Sequence, residues 1–155
     1  MIGALPAIKL MIAAMLLSPV GDAVSAAPQG EITVRDAWVR ESTVTRTSSS
    51  AYFIIENRTN KAVTLVKVSL DDVADAQVHT MADQQGQAVM RPVSALNVPA
   101  RGSVDLAPGG THVMLMDIAR PLKAGTTVGM TLTFDDGRTR TVQAVVRPLS
   151  AMSAR

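Results

Sequence analysis

Along most of this chain apolar side chains alternate with polar ones at a period of two, the pattern of strands that bury one face. In EITVRDAWVR (31–40), Ile32 and Val34 alternate with polar neighbours, and Trp38 reads as a core anchor. ESTVTRTSSS then reads as a loop and SAYFIIENR as the next strand, stopped by the polar run Asn57 to Asn60. AVTLVKVSL (62–70) is a third strand, ended by a turn at Asp71-Asp72. AQVHTM (76–81) and QAVMRPV (87–93) flank Asp83 to Gly86 and predict a short hairpin. SVDLAPGGTHVMLMDI sets a Pro108-Gly109-Gly110 turn between two strands. VGMTLTFDDGRTRTVQAVVR predicts the cleanest hairpin, with Asp136-Gly137 supplying the positive φ angles of a tight type I′ turn. About eight or nine short strands in roughly 120 residues, with no repeat or linker, predict an all-β domain, a β-sandwich or Greek-key barrel.

The first thirty residues break this pattern. Lys9 is followed by an apolar run from Leu10 to Leu17, a breaker at Pro19 and then small residues, the order of a secretory signal peptide. The apolar run is short for a membrane span, and Val24-Ser25-Ala26 predicts cleavage after Ala26. The expected organisation is a leader over 1–26 and a single domain over 27–155, exported and without a membrane span once the leader is removed. Export leads to an oxidising compartment, yet the chain has no cysteine. Its core must hold by burial alone, and soft-metal chemistry would have to use methionine sulfur.

Charge changes the picture little. Removing 1–26 takes away Lys9 and Asp22 together and leaves the net charge of +2 unchanged. The arginines are scattered, and one Trp, one Tyr and two Phe offer no platform for bases, so nucleic-acid binding is not expected.

The chemistry-bearing residues are two histidines, each followed two residues later by a methionine: His79 with Met81, and His112 with Met114 and Met116. Residues i and i+2 of a strand share a face, so each set points one way. Met90 lies on the partner strand of the predicted hairpin, where its sulfur could approach His79. Thioether and imidazole donors suit Cu(I), a soft ion with little geometric demand. Zinc sites favour thiolate, imidazole and carboxylate, and a blue-copper centre needs a cysteine. Methionines in strands also serve as core filler, the ordinary role expected of Met130 and Met116, so the residues alone leave packing open beside a metal site. No nucleophile motif is present and no histidine stands free of the Met pairs, which argues against an enzyme.

His79, ten residues, Met90, twenty-one residues, then His112-Val113-Met114 is also the spacing by which the chain resembles the periplasmic PCu(A)C copper chaperones. ITVRDAWVR, AYFIIEN, MRPV, PGGTHVMLM, RPLKAGTTVGMTLTFDDG and VVR extend the resemblance from Ile32 to Arg147. It implies a cupredoxin-like Greek-key fold and Cu(I) bound at the protein edge by His79, Met90, His112 and Met114. It further implies delivery to the copper centre of cytochrome c oxidase, through a copper-receiving oxidase subunit and sometimes a thioredoxin-like assembly factor, by a periplasmic monomer with no catalytic step. The resemblance assigns Met81 and Met116 no established ligand role, and they are expected to be spare or supporting donors. The His- and Met-rich tail that binds Cu(II) in some members is missing from RPLSAMSAR, and Asp117 stands where a small residue is common. An exported adaptor, or a protein of copper storage or tolerance, is the alternative function.

Overall fold

The computed structural model describes residues 31–153, so the expected leader lies outside the described residues. Ten strands run in chain order: β1 (Ile32–Arg40), β2 (Ser49–Asn57), β3 (Val63–Leu70), β4 (Val73–Gln84), β5 (Gln87–Pro92), β6 (Leu96–Val98), β7 (Gly102–Leu106), β8 (His112–Ile118), β9 (Thr127–Phe134) and β10 (Thr139–Arg147). A short 3-10 helix, Leu149–Ser153, follows. The strands join in the order β5-β4-β8-β2-β1-β10-β9-β3-β6, with β7 also on β2. β1 and β10 are parallel, and the other pairs are antiparallel.

β3 and β4 stand near opposite ends of this order yet lie against each other, so the sheet curls over and encloses a core. Ile32, Phe53, Leu65, Leu115, Leu132 and Phe134 fill it, all 1% exposed or less. The result is the all-β, cupredoxin-like Greek-key sandwich expected. The additional β6 spans three residues, too few for alternation to reveal.

Three local features depart from the sequence pattern. The register of β1 against β2 shifts between Arg35 and Trp38, where Asp36 takes φ 52°. This bulge inverts the alternation: Ile32 faces the core before it and Val39 after it, and Trp38 turns to the other face. Trp38 is buried, but against Tyr52 at 4.4 Å between ring centroids and beneath the Arg147 guanidinium at 5.0 Å, so it anchors the outer layer and not the core.

The turn at Asp136-Gly137 is not type I′, because only Gly137 has positive φ. Asp136 Oδ1 accepts the Arg138 amide and the Gly137 amide donates to Phe134 O, which makes a type I turn closed by a glycine bulge. Type I′ geometry falls instead at Gln85-Gly86 (φ 56° and 82°), between the paired Gln84 and Gln87.

The Pro108-Gly109-Gly110 loop separates two strands as expected, without reversing the chain. β7 and β8 run the same way along one edge of β2, as Phe53↔Leu106 and Ala51↔Val113. Residues 107–111 bulge out between them. Asn57, read as a strand stop, is fully buried and ties the far end together. Its Nδ2 donates to the carbonyls of Lys61 and Pro99, and its Oδ1 accepts from Thr59 N and Oγ1.

Candidate metal centre

Opposed residues of an antiparallel ladder point to the same face, so pairing fixes the site. β4 lies between β8 and β5. His79 is opposite His112 on one side and Pro92 on the other. One step along β4, Met81 is opposite Met90. One step the other way Gln77 is opposite Met114, and beyond it Asp75 is opposite Met116. Val78, Val113 and Leu115, the intervening residues, enter the core. Both histidines and four methionines therefore occupy one outer face of three adjacent strands. Met130 is wholly buried in the core, as expected of it, whereas Met116, expected to fill the core as well, stands half-buried on the outer face.

The imidazoles are prepared differently. His112 is 7% exposed, and its Nδ1 donates to Gly110 O at 2.9 Å. A carbonyl can only accept, so Nδ1 carries the proton and Nε2 keeps a free lone pair in the neutral ring. The glycine loop thus sets the tautomer of the histidine that follows it. A Thr80 Oγ1 to Thr111 Oγ1 hydrogen bond of 3.1 Å ties the base of this loop to β4. His79 Nε2 faces Gln77 Oε1 at 3.4 Å, and among the described residues His79 Nδ1 is buried without a hydrogen-bond partner. Each ring has one nitrogen engaged and one lone pair unspent.

The ring centroids lie 6.2 Å apart. An ion shared by two imidazoles sits about 2 Å from each nitrogen and about 3 Å from each ring centre, so this separation matches one ion between them. Burial, and then the charge of a protonated His112, push the His79 pKa below its ordinary 6.5, against a weaker upward pull from Asp75. His79 is therefore neutral, and available as a donor, at neutral pH. Among the described residues no three of His, Cys, Asp and Glu gather to hold a metal, and the other soft donors on this face are the thioethers. That set fits a soft monovalent ion.

A second set of rings lies behind the histidines. Tyr52 on β2 is 6.3 Å from His112 between centroids, and Trp38 stacks behind Tyr52. His79, His112, Tyr52 and Trp38 thus form a row across β4, β8, β2 and β1. Alternation along the chain does not reveal this row, because the Asp36 bulge that brings Trp38 to its face is invisible to a period-two count.

The model of a family described as lipoprotein LpqE-like matches residues 32–146. A protein of Leifsonia xyli subsp. xyli, named as a lipoprotein, is 32% identical over 90% of this chain and 88% of its own length. The copper-bound PCuAC domain from PmoF2 superposes with a TM-score of 0.65 at 26% identity, over 79% of this chain and 97% of that domain. The solution structure of CuI-DR1885 from Deinococcus radiodurans superposes with a TM-score of 0.60 at 32% identity, over 81% and 83% of the two chains.

Proposed function

The chain belongs to the LpqE-like family and is of the PCuAC type, and from that premise we propose that it is a periplasmic copper chaperone. It holds Cu(I) through His79, Met90, His112 and Met114 and hands it to the copper centre of cytochrome c oxidase without a catalytic step. The observation that carries the reading is the His79 to His112 pair. Two imidazoles, each with one nitrogen held by a hydrogen-bond partner, lie 6.2 Å apart on a face that also carries four thioethers. The copper-bound PmoF2 domain and CuI-DR1885 support the choice of ion. The lipoprotein names of the family and of its Leifsonia member support export, consistent with the leader expected over 1–26. The oxidase as recipient rests on the resemblance of the His-Met spacing to that of the periplasmic chaperones.

Thioethers and unprotonated imidazoles carry no charge, so a site built from them carries only the ion's charge. Met90, at the exposed edge, is the donor an acceptor protein reaches first, whereas His112 holds the ion from beneath. Release then proceeds by exchanging one donor at a time, which allows firm binding with ready transfer.

The test is an anaerobic Cu(I) competition titration against a coloured chelator, with Met90→Leu, Met114→Leu as the comparison. Tight one-to-one binding that falls at least about a hundredfold in the double variant is expected. Binding indifferent to the substitutions returns the methionines to packing and brings the adaptor reading forward.

A further inference from the structure

Met81 has no part in the donor set just described, yet the register places it closer to the histidine pair than Met90. Met81 is the second residue after His79 on the same strand and the same face, one strand away from His112. Met90 lies beyond it on β5, a further strand spacing of about 4.8 Å from β8. Met81 and Met90 are direct cross-strand partners, so their side chains stand together, and both are open to solvent, at 37% and 49%. Large apolar side chains gain nothing from such exposure, and neither belongs to the core cluster. Two flexible thioethers thus sit side by side at the rim, on the side of the histidines away from Met114.

We propose that Met81 is an exit ligand for copper, forming with Met90 a dithioether station from which Cu(I) leaves the protein. This rests on the chaperone reading and adds a donor and a direction to it. In the exchange, a bond from Met81 sulfur to copper forms as the bond from Met114 sulfur breaks. Copper stays in the +1 state and no proton or electron moves. The ion shifts from the β8 donors toward the exposed hairpin, and an incoming soft donor then takes it from Met81 and Met90. The type I′ turn at Gln85-Gly86 holds the two methionines opposite each other throughout.

The experiment loads the protein with one Cu(I) and follows transfer to bicinchoninate by anaerobic stopped flow, for wild type, Met81→Leu and Met81→Gln. Equilibrium affinity is measured in parallel, and folding is checked by thermal unfolding. Both variants are expected to keep affinity within about threefold while transfer slows about tenfold or more. In wild type carrying methyl-labelled methionine, the Met81 methyl resonance should shift with copper alongside those of Met90 and Met114, and a Met81 methyl that copper leaves unmoved overturns the proposal. Transfer at the wild-type rate in both variants overturns the proposal while the chaperone reading stands. Loss of affinity as large as that of Met114→Leu overturns it as well, since Met81 would then be a resident ligand. Wild-type protein that takes up no Cu(I) overturns the chaperone reading itself, and the exit ligand with it.

Discussion

At the scale of single residues, the candidate site is marked by lone pairs left unspent. His112 is oriented by a backbone carbonyl and His79 by the neighbouring Gln77, and His79, with its pKa lowered, has no proton to shed on meeting a metal at neutral pH. A pH profile follows. His79 has a pKa below 6.5, so at higher pH it is already neutral and protons do not compete with the metal. Cu(I) affinity is expected to be flat between about pH 7 and 9 and to fall as pH drops below about 6.5, as the ring begins to take up protons. A steep change between about pH 8 and 9.5 in a competition titration would contradict a donor set of imidazoles and thioethers, neither of which titrates there. The same sign applies to folding: because the folded-state pKa is lowered, His79 costs stability as pH falls below 6.5 and is silent above it. The two histidines and the ten-residue and twenty-one-residue spacings were plain in the sequence. The tautomers were not, because they depend on a carbonyl and an amide that only the folded backbone brings close.

At the scale of elements, those spacings are strand registers written along the chain. A two-residue turn at Gln85-Gly86 makes Met90 oppose Met81, and the pairing of β4 with β8 makes His112 oppose His79. The hairpin was legible from its turn residues and alternation. The assignment of type I′ geometry to Asp136-Gly137 failed because side-chain hydrogen bonding decides there: Asp136 caps the Arg138 amide from a negative-φ conformation. Register and turn chemistry together predict opposite effects at adjacent positions. A side chain at Gly86 would meet open space, but the backbone there has φ 82°, so Gly86→Val is expected to cost about 1–2 kcal/mol and to weaken copper binding through the displaced Met90. Gln85→Asn, which gives the Asn-Gly pair favoured in this turn, is expected to stabilise by about 0.5 kcal/mol with copper binding unchanged. Urea unfolding of both variants beside the copper titration checks the pair, and equal effects from the two would mean that the turn does not set the register. Asn57 belongs to the same scale. Read as a strand stop, it is the buried knot of β2, β6 and the loop between β2 and β3, and Asn57→Ala should cost about 1–3 kcal/mol by removing the amide that pairs the carbonyls of Lys61, Val98 and Pro99.

For the whole molecule, the decisive fact is that the core and the candidate site occupy opposite faces of the same strands. Val78, Val113 and Leu115 hold the sandwich together from one side, while His79, His112 and the thioethers emerge on the other. A small metal domain that lacks such a core folds only when its ion binds. Here the fold stands on burial, as a chain without cysteine requires, and a metal at the candidate site would meet a scaffold already built. Removing copper should therefore leave the far-ultraviolet circular dichroism and the dispersion of amide resonances intact. Met90→Leu, Met114→Leu apoprotein should unfold within about 3 °C of wild type, because methionine and leucine are close in volume. Added Cu(I) should separate the two proteins. At a free concentration about a thousandfold above the dissociation constant, one site adds about 4 kcal/mol, enough to raise the wild-type midpoint by about 10 °C or more. The double variant should shift far less. Calorimetry of the four samples decides it: an apoprotein already unfolded at room temperature would make copper part of the fold, whereas a folded apoprotein stabilised only when the methionines are present is what a carrier that must survive giving up its cargo requires.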